Sequence, residues 1–206
     1  MRLALALGGV PFTDTRVPFA QWAEMKPTTP YGQLPLLKID GKEPMAQSDA
    51  MVRYAGKLAE ARGVPLYPPE LFLEVEEALG LAGDLQRDWR APVYIGMNPA
   101  ASGYPDDFKG TDEHAAVVKR VRESWMATDF VKYMGILTKR LEKSKFLVGD
   151  TPTIADCMMV PLIARFASGG VDFIPTDCLE AYPVVVAYLD RFMAIPEVKA
   201  WYADKK

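Results

Sequence analysis

Residues 30–54 constrain the fold more than any other stretch of this chain. Pro35 interrupts the entry to an apolar run, 34–39. A proline has no N–H to give to a β-ladder, so it is tolerated only at a strand's first residue, an edge or a bulge. Pro35 therefore marks a strand entrance, and a cis bond there would be a purposeful turn. Asp40-Gly41 gives a hairpin signal, and a second short strand is predicted over 43–46. Gln47-Ser48 then opens a segment with helical spacing at Ala50, Met51, Tyr54, Ala55 and Leu58. Ser48 is the predicted N-cap. A helix start fed by a hairpin offers free N–H groups and a positive dipole end, which suits a carboxylate.

The flanking segments read as follows. Residues 1–7 carry helix formers and then Gly8, a C-cap signal. A short strand is predicted over 12–17 and a helical turn over 21–25, closed by Lys26-Pro27. The first sixty or so residues thus read β, turn, ββα after a helix fragment. The proline-rich stretch 63–69 is the predicted connector. Beyond it the pattern is helical. Apolar residues at Leu71, Val75, Ala78, Leu79, Ala82 and Leu85 recur with helical period. Residues 98–109 break the pattern, and 114–141 resume it, with an interruption near Ala127-Thr128-Asp129. Thr153-Ile154-Ala155-Asp156 has the form of a capping box, with Asp standing for Glu. The helix it opens is apolar nearly all round and should be buried.

Charge and cysteine usage narrow the function classes. A net charge of −3 argues against nucleic acid, which calls for a basic face. The two cysteines, Cys157 and Cys178, form no metal-like or redox pair, so a reducing cytoplasm is the expected compartment. A single histidine, His114, removes most histidine-based triads and multi-histidine metal sites. No apolar run is long enough to span a membrane. The apolar run after Arg2 is too short for a signal peptide.

Gln33-Leu34-Pro35, the hairpin and Gln47-Ser48-x-Ala50-x-x-Arg53-Tyr54 together resemble the glutathione-binding half of the glutathione transferases. The resemblance implies a cis bond before Pro35, with Leu34 offering its backbone to the cysteinyl part of glutathione. It implies that Gln47 and Ser48 hold the γ-glutamyl carboxylate. Trp22 and Lys26 match a Trp and a Lys that contact the glycine end in sigma-like members, where a compact cation suits a carboxylate. Asp84, in Ala82-Gly83-Asp84-Leu85, matches an Asp that reaches across a homodimer to the γ-glutamyl amine of the neighbour's glutathione. The implied binding set is Trp22, Lys26, Gln33, Leu34, Pro35, Gln47, Ser48 and Asp84. No metal is implied: in prostaglandin D synthases further Asp residues near this point hold one, but here Leu79, Gly80, Leu81 and Leu85 interrupt the cluster.

The second half resembles the same family. Phe146-Leu147-Val148-Gly149-Asp150 followed by Thr153 to Asp156 is similar to the capped core helix of its all-helical domain. Ala194-Ile195-Pro196-Glu197-Val198-Lys199-Ala200-Trp201 is most similar to the sigma class, which includes glutathione-dependent prostaglandin D synthase. The implied fold is α+β: a thioredoxin-like glutathione-binding domain over 1–62, lacking its first strand, a linker over 63–69, and an all-α domain over 70–206. Trp89 and Tyr94 are candidates to line the electrophile pocket, with helix packing as the plainer reading. Thr153 and Asp156 are assigned to folding, His114 to a solvated helix start, and Cys157 to an inert core position.

The chemistry implied is attack by glutathione thiolate on small apolar electrophiles, with isomerase or peroxidase side activity. In sigma-like proteins a Tyr at the end of the first strand stabilises the thiolate, ahead of the helix that ends Arg-Leu-Ala-Leu-Ala-Leu. This chain starts inside that helix, at Met1-Arg2-Leu3. The expectation is therefore that Met1 is an internal methionine or a truncated start, that the Tyr precedes it, and that the catalytic residue is unassigned here. The alternative is a catalytically weak glutathione-binding or structural dimer. A helical interaction module, a third reading, would not need the peptide-site residues.

Overall fold

The computed structural model describes residues 1–203. Its α-helices in chain order are α1 (Arg2–Leu7), α2 (Phe19–Met25), α3 (Ser48–Glu60), α4 (Phe72–Asp88), α5 (Arg90–Met97), α6 (Asp112–Trp125), α7 (Val131–Leu141), α8 (Ile154–Phe166), α9 (Pro183–Met193) and α10 (Pro196–Ala203). The chain divides into two units. One holds residues 1–72 with the segment from Ile195 onward, and the other holds 73–194. The first unit thus runs past the connector expected at 63–69, whose Leu66 and Tyr67 are buried.

In the first unit, α1 packs against α3 and α10. Leu3, Ala4, Leu5 and Leu7 of α1 are buried, as are Met51, Val52, Ala55, Gly56 and Ala59 of α3. That face of α3 is turned from the expected one, since Ala50 is exposed. Gly8 ends α1 at an ordinary φ of −74°, so conformation does not demand a glycine there. Contact does: a Cβ on Gly8 would stand 2.5 Å from the Ala59 Cβ and 3.0 Å from its Cα. Gly8→Ala should therefore push α1 off α3 and cost about 1–3 kcal/mol, the usual overpacking penalty. Chemical denaturation would show it as a lower midpoint. An unchanged midpoint would mean the two helices are free to slide.

The predicted strands are mostly not formed. Residues 12–17 are irregular, flanked by Pro11 and Pro18, and their polar side chains serve other contacts. Asp14 accepts from Arg2 at 2.6 Å and from Arg16 at 2.9 Å. Burial raises the Asp14 carboxyl, but those two guanidiniums outweigh it and hold it below its ordinary value. The predicted hairpin is reduced to one antiparallel bridge, Leu37 with Met45, carrying two 2.9 Å hydrogen bonds. Its prolines explain why: Pro35 and Pro44 each remove a donor, one on each arm. The turn between is closed by Lys42 N–H on the Ile39 carbonyl, with Gly41 at φ +70°. The thioredoxin-like character of the first unit is visible only to that extent.

The second unit is helical. The buried face of α4 is Val75, Ala78, Leu79, Ala82 and Leu85, as the periodicity requires, while Leu71 lies in the 3₁₀ turn before the helix and is half-buried. The helical run breaks at Trp89 because Pro92 cannot donate to the Asp88 carbonyl. Residues 98–109 contain two short 3₁₀ turns, Pro99–Ser102 and Asp106–Phe108. The expected interruption near 127–129 is a π-turn, Met126–Phe130, between α6 and α7. Trp89, Trp125, Phe130 and Phe166 form an aromatic cluster with ring centroids 4.6–5.8 Å apart. Helix α8 lies in the core and starts at a full capping box. Cys157 sits on it, 3% exposed, and burial pushes its thiol up to about 12. Cys178 is half-buried, and burial and then Asp177 raise it too. A thiol reagent at neutral pH should therefore leave Cys157 untouched in the native protein and reach it on unfolding. Rapid native labelling of Cys157 would contradict this placement.

Candidate functional site

Seven of the eight residues implied in glutathione binding lie in the first unit, next to two local devices. The first is the turn after α2. Thr29 donates both its N–H (3.2 Å) and its hydroxyl (2.9 Å) to the Lys26 carbonyl, which ends a short 3₁₀ turn, Lys26–Thr28. The chain then folds back at Gly32, φ +61°, against the Lys26 side chain. A Cβ on Gly32 would stand 3.5 Å from the Lys26 Cε. The Lys26 side chain thus lies against Gly32, the residue before Gln33. Trp22, half-buried on α2, is linked to the same turn, its carbonyl accepting the Lys26 N–H.

The second device is the Leu37–Met45 bridge. It ties the arm that carries Leu34 and Pro35 to the arm that leads into Gln47 and Ser48. The Leu34–Pro35 peptide bond is cis. Leu34 is 45% exposed, and no partner among the described residues takes its N–H or C=O. Its backbone is thus open to an extended peptide laid alongside.

Gln47, not Ser48, is the N-cap of α3, with φ +78° and ψ +98°. This corrects the expected cap. A non-glycine residue held there costs about 1–3 kcal/mol. The bridge on one side and the helix on the other fix it. Ser48 becomes the first helical residue, and its hydroxyl makes only a marginal 3.5 Å contact with Asp49. The amides of Ser48, Asp49 and Ala50 have no partner among the described residues, while Met51 N–H already bonds the Gln47 carbonyl. Open amides, an uncommitted hydroxyl and the Gln47 side chain form an acceptor for a carboxylate.

Asp84 lies on α4 in the second unit and is exposed. It already accepts from Arg87 at 2.7 Å, and Arg87 also stands 3.4 Å from Asp88. Such an exposed pair is worth about 0–1 kcal/mol, so Asp84 can exchange this partner for an ammonium. Asp88 accepts the Tyr133 hydroxyl. Among the described residues no group of three or more His, Cys, Asp and Glu side chains is placed to hold a metal ion.

Trp89 is 5% exposed and packs on Trp125 and Phe166, while Tyr94 is exposed under Arg90. His114 corrects the sequence reading: it is buried, not solvated. Its Nδ1 accepts the Gly110 N–H at 3.1 Å, so Nε2 carries the proton and donates to the Ile95 carbonyl at 2.8 Å. Arg122, which the sequence reading passed over, is buried two helical turns further on. A signal existed: His114, Val118, Arg122 and Trp125 share one face of α6, which makes Arg122 a charge on an apolar stripe.

Comparison with known proteins shows the family. Residues 107–205 match the family described as "Glutathione S-transferase, C-terminal domain". Glutathione S-transferase 4 of Caenorhabditis elegans is 32% identical, over 100% of this chain and 90% of its own length. Glutathione S-transferase 1 of Ascaris suum is 30% identical, over 99% and 89%. The crystal structure of the glutathione S-transferase from Ascaris lumbricoides superposes with a TM-score of 0.70 at 28% identity, covering 100% of this chain and 90% of that one. The fold is also that of prostaglandin synthase D of Nilaparvata lugens, with a TM-score of 0.78 at 24% identity and coverage of 100% and 90%. The chain belongs to the glutathione transferase family, with the helical C-terminal domain of that fold. No helix among the described residues is long and apolar enough to cross a membrane.

Proposed function

We propose that this protein is a sigma-like glutathione transferase that joins glutathione thiolate to small apolar electrophiles. The observation that carries the proposal is the Leu37–Met45 bridge, which ties the arm with the open Leu34 backbone to the arm that leads into the open start of α3. Glutathione needs just such a pair: an exposed backbone for its cysteinyl residue and an anion acceptor for its γ-glutamyl carboxylate. Lys26, held at Gly32 next to Gln33, supplies a cation for the glycine carboxylate, with Trp22 beside it. Residues 1–62 bind the peptide, and the helical part, 70–206, serves the second substrate. The proposed form is a cytoplasmic homodimer in which Asp84 meets the γ-glutamyl ammonium held by the neighbouring copy.

The test is retention on immobilised glutathione, followed by conjugation of glutathione to a chlorodinitrobenzene. Retention with turnover supports the reading. Retention without turnover leaves a glutathione-binding protein and removes the transferase. Loss of both removes the site. The dimer has its own test, because a structural neighbour from Necator americanus is described as monomeric. Sedimentation at the monomer mass, with glutathione affinity unchanged in Asp84→Asn, would remove the role in trans.

A further inference from the structure

Arg87 occupies the carboxylate that the proposed site reserves for an ammonium. On a helix the side chains that reach position 84 come from positions 80, 81, 87 and 88. Position 80 is a glycine, and a Cβ there would meet nothing within 4 Å, so that side of Asp84 is bare. The opposite side is filled. Arg87 Nη1 donates to Asp84 Oδ1 at 2.7 Å. Among the described residues Asp84 pairs with no other cation.

The guanidinium is held at two places, and the two differ. Its Nε stands 3.4 Å from Asp88 Oδ1. Asp88 is anchored from α7: its Oδ2 accepts the hydroxyl of buried Tyr133 and lies 3.9 Å from Lys132 Nζ. Asp84 has no such anchor. Its side chain is 52% exposed and that of Arg87 68%, so water reaches this pair and either partner can leave it. Asp88 is thus a fixed post for Arg87, and Asp84 a detachable one. The hydrogen bond and charge of Asp84, and then the charge of Asp88, hold Arg87 above its ordinary pKa, so it stays cationic in either place.

We propose that Arg87 sets glutathione affinity by competing with the γ-glutamyl ammonium for Asp84, and that Asp88 keeps Arg87 on α4 when the ammonium takes its place. The inference rests on the role of Asp84 proposed above. An incoming ammonium has to displace one charge-assisted bond to make another, and it meets the like charge of Arg87 at the same carboxylate. Glutathione therefore binds more weakly than an uncovered Asp84 would allow. The displaced guanidinium keeps its contact with Asp88, so only the Asp84 half of its pairing is lost in the exchange.

Calorimetric titration of the whole chain with glutathione, beside glutaryl-cysteinylglycine, which lacks only the ammonium, tests this. Arg87→Gln should tighten glutathione by about two- to fivefold, the worth of an exposed ion pair. The same variant should not tighten the glutaryl peptide. In an Asp84→Asn background, Arg87→Gln should no longer tighten glutathione. Arg87 is exposed and glutamine is a comparable helix former, so the variant should fold as the unaltered chain does. Glutathione affinity unchanged or weakened in Arg87→Gln, with Asp84→Asn weakening it, would overturn the competition and leave the role of Asp84 standing. Equal tightening of both peptides would also overturn it, since Arg87 would then act without regard to the ammonium. Glutathione affinity unchanged in Asp84→Asn would remove Asp84 from the site, and this inference with it.

Discussion

Asp156→Ala should lower the unfolding midpoint more than any other single change at a capped helix in this chain. Asp156 is fully buried at the start of α8. One oxygen accepts Leu147 N–H at 2.9 Å and the Tyr188 hydroxyl at 2.8 Å. The other accepts Thr153 N–H at 2.7 Å and the Thr153 hydroxyl at 3.1 Å. Burial raises this carboxyl, and the Leu147, Thr153 and Tyr188 donors pull it back. Alanine would orphan two buried amides and a buried phenol at once. At roughly 1–3 kcal/mol each, the loss is about 4 kcal/mol or more. That is a large share of a total of about 5–15 kcal/mol. With about 2–4 °C per kcal/mol at this size, the midpoint should fall by roughly 10 °C. Trp89 and Trp125 pack on Phe166 at the far end of α8, so tryptophan fluorescence would report the loss. Asp156→Asn should recover part of it, because its carbonyl oxygen still serves Leu147 and Tyr188 while its amide faces the Thr153 N–H. Equal loss in both variants would mean that the charge, not the acceptors, holds the network.

Thr153 and Asp156 could be read from the sequence because a capping box is local: four consecutive residues carry the whole signal. Pro35 was legible for a similar reason, since its ring restricts its own backbone and its neighbour's. The strands were over-read because alternation says nothing about partners. Residues 34–39 and 43–46 have strand character, yet Pro35 and Pro44 leave room for one bridged pair only. Ser48 was misplaced by one residue, because serine is the usual cap and Gln47 takes that position only at a costly positive φ. His114 and Arg122 were illegible as buried groups for a different reason. Their burial depends on residues far away in sequence, the Ile95 carbonyl for one and the bare Cα of Gly96 for the other.

Ser48→Ala should weaken glutathione binding by about tenfold or more, which is what one hydrogen bond to a charged group is worth. The reasoning starts from what the hydroxyl does without ligand. It makes one marginal contact with Asp49 and caps nothing, so its removal should leave stability within about 0.5 kcal/mol. Affinity should move and the unfolding midpoint should not. Gln47 needs a sharper design, because its φ of +78° makes any substitution there a backbone change as well. Gln47→Gly separates the two. Glycine relieves the positive φ and pays back about 0.5–1 kcal/mol in chain entropy, so stability should stay nearly level. The side-chain amide is gone, so glutathione affinity should still fall. If Gln47→Gly binds glutathione as well as the unaltered chain, the side chain is there only to turn the backbone, and the carboxylate is held by Ser48 and the open amides of α3 alone. If Ser48→Ala binds unchanged too, the start of α3 is not the carboxylate site, and the transferase reading loses the geometry that carries it.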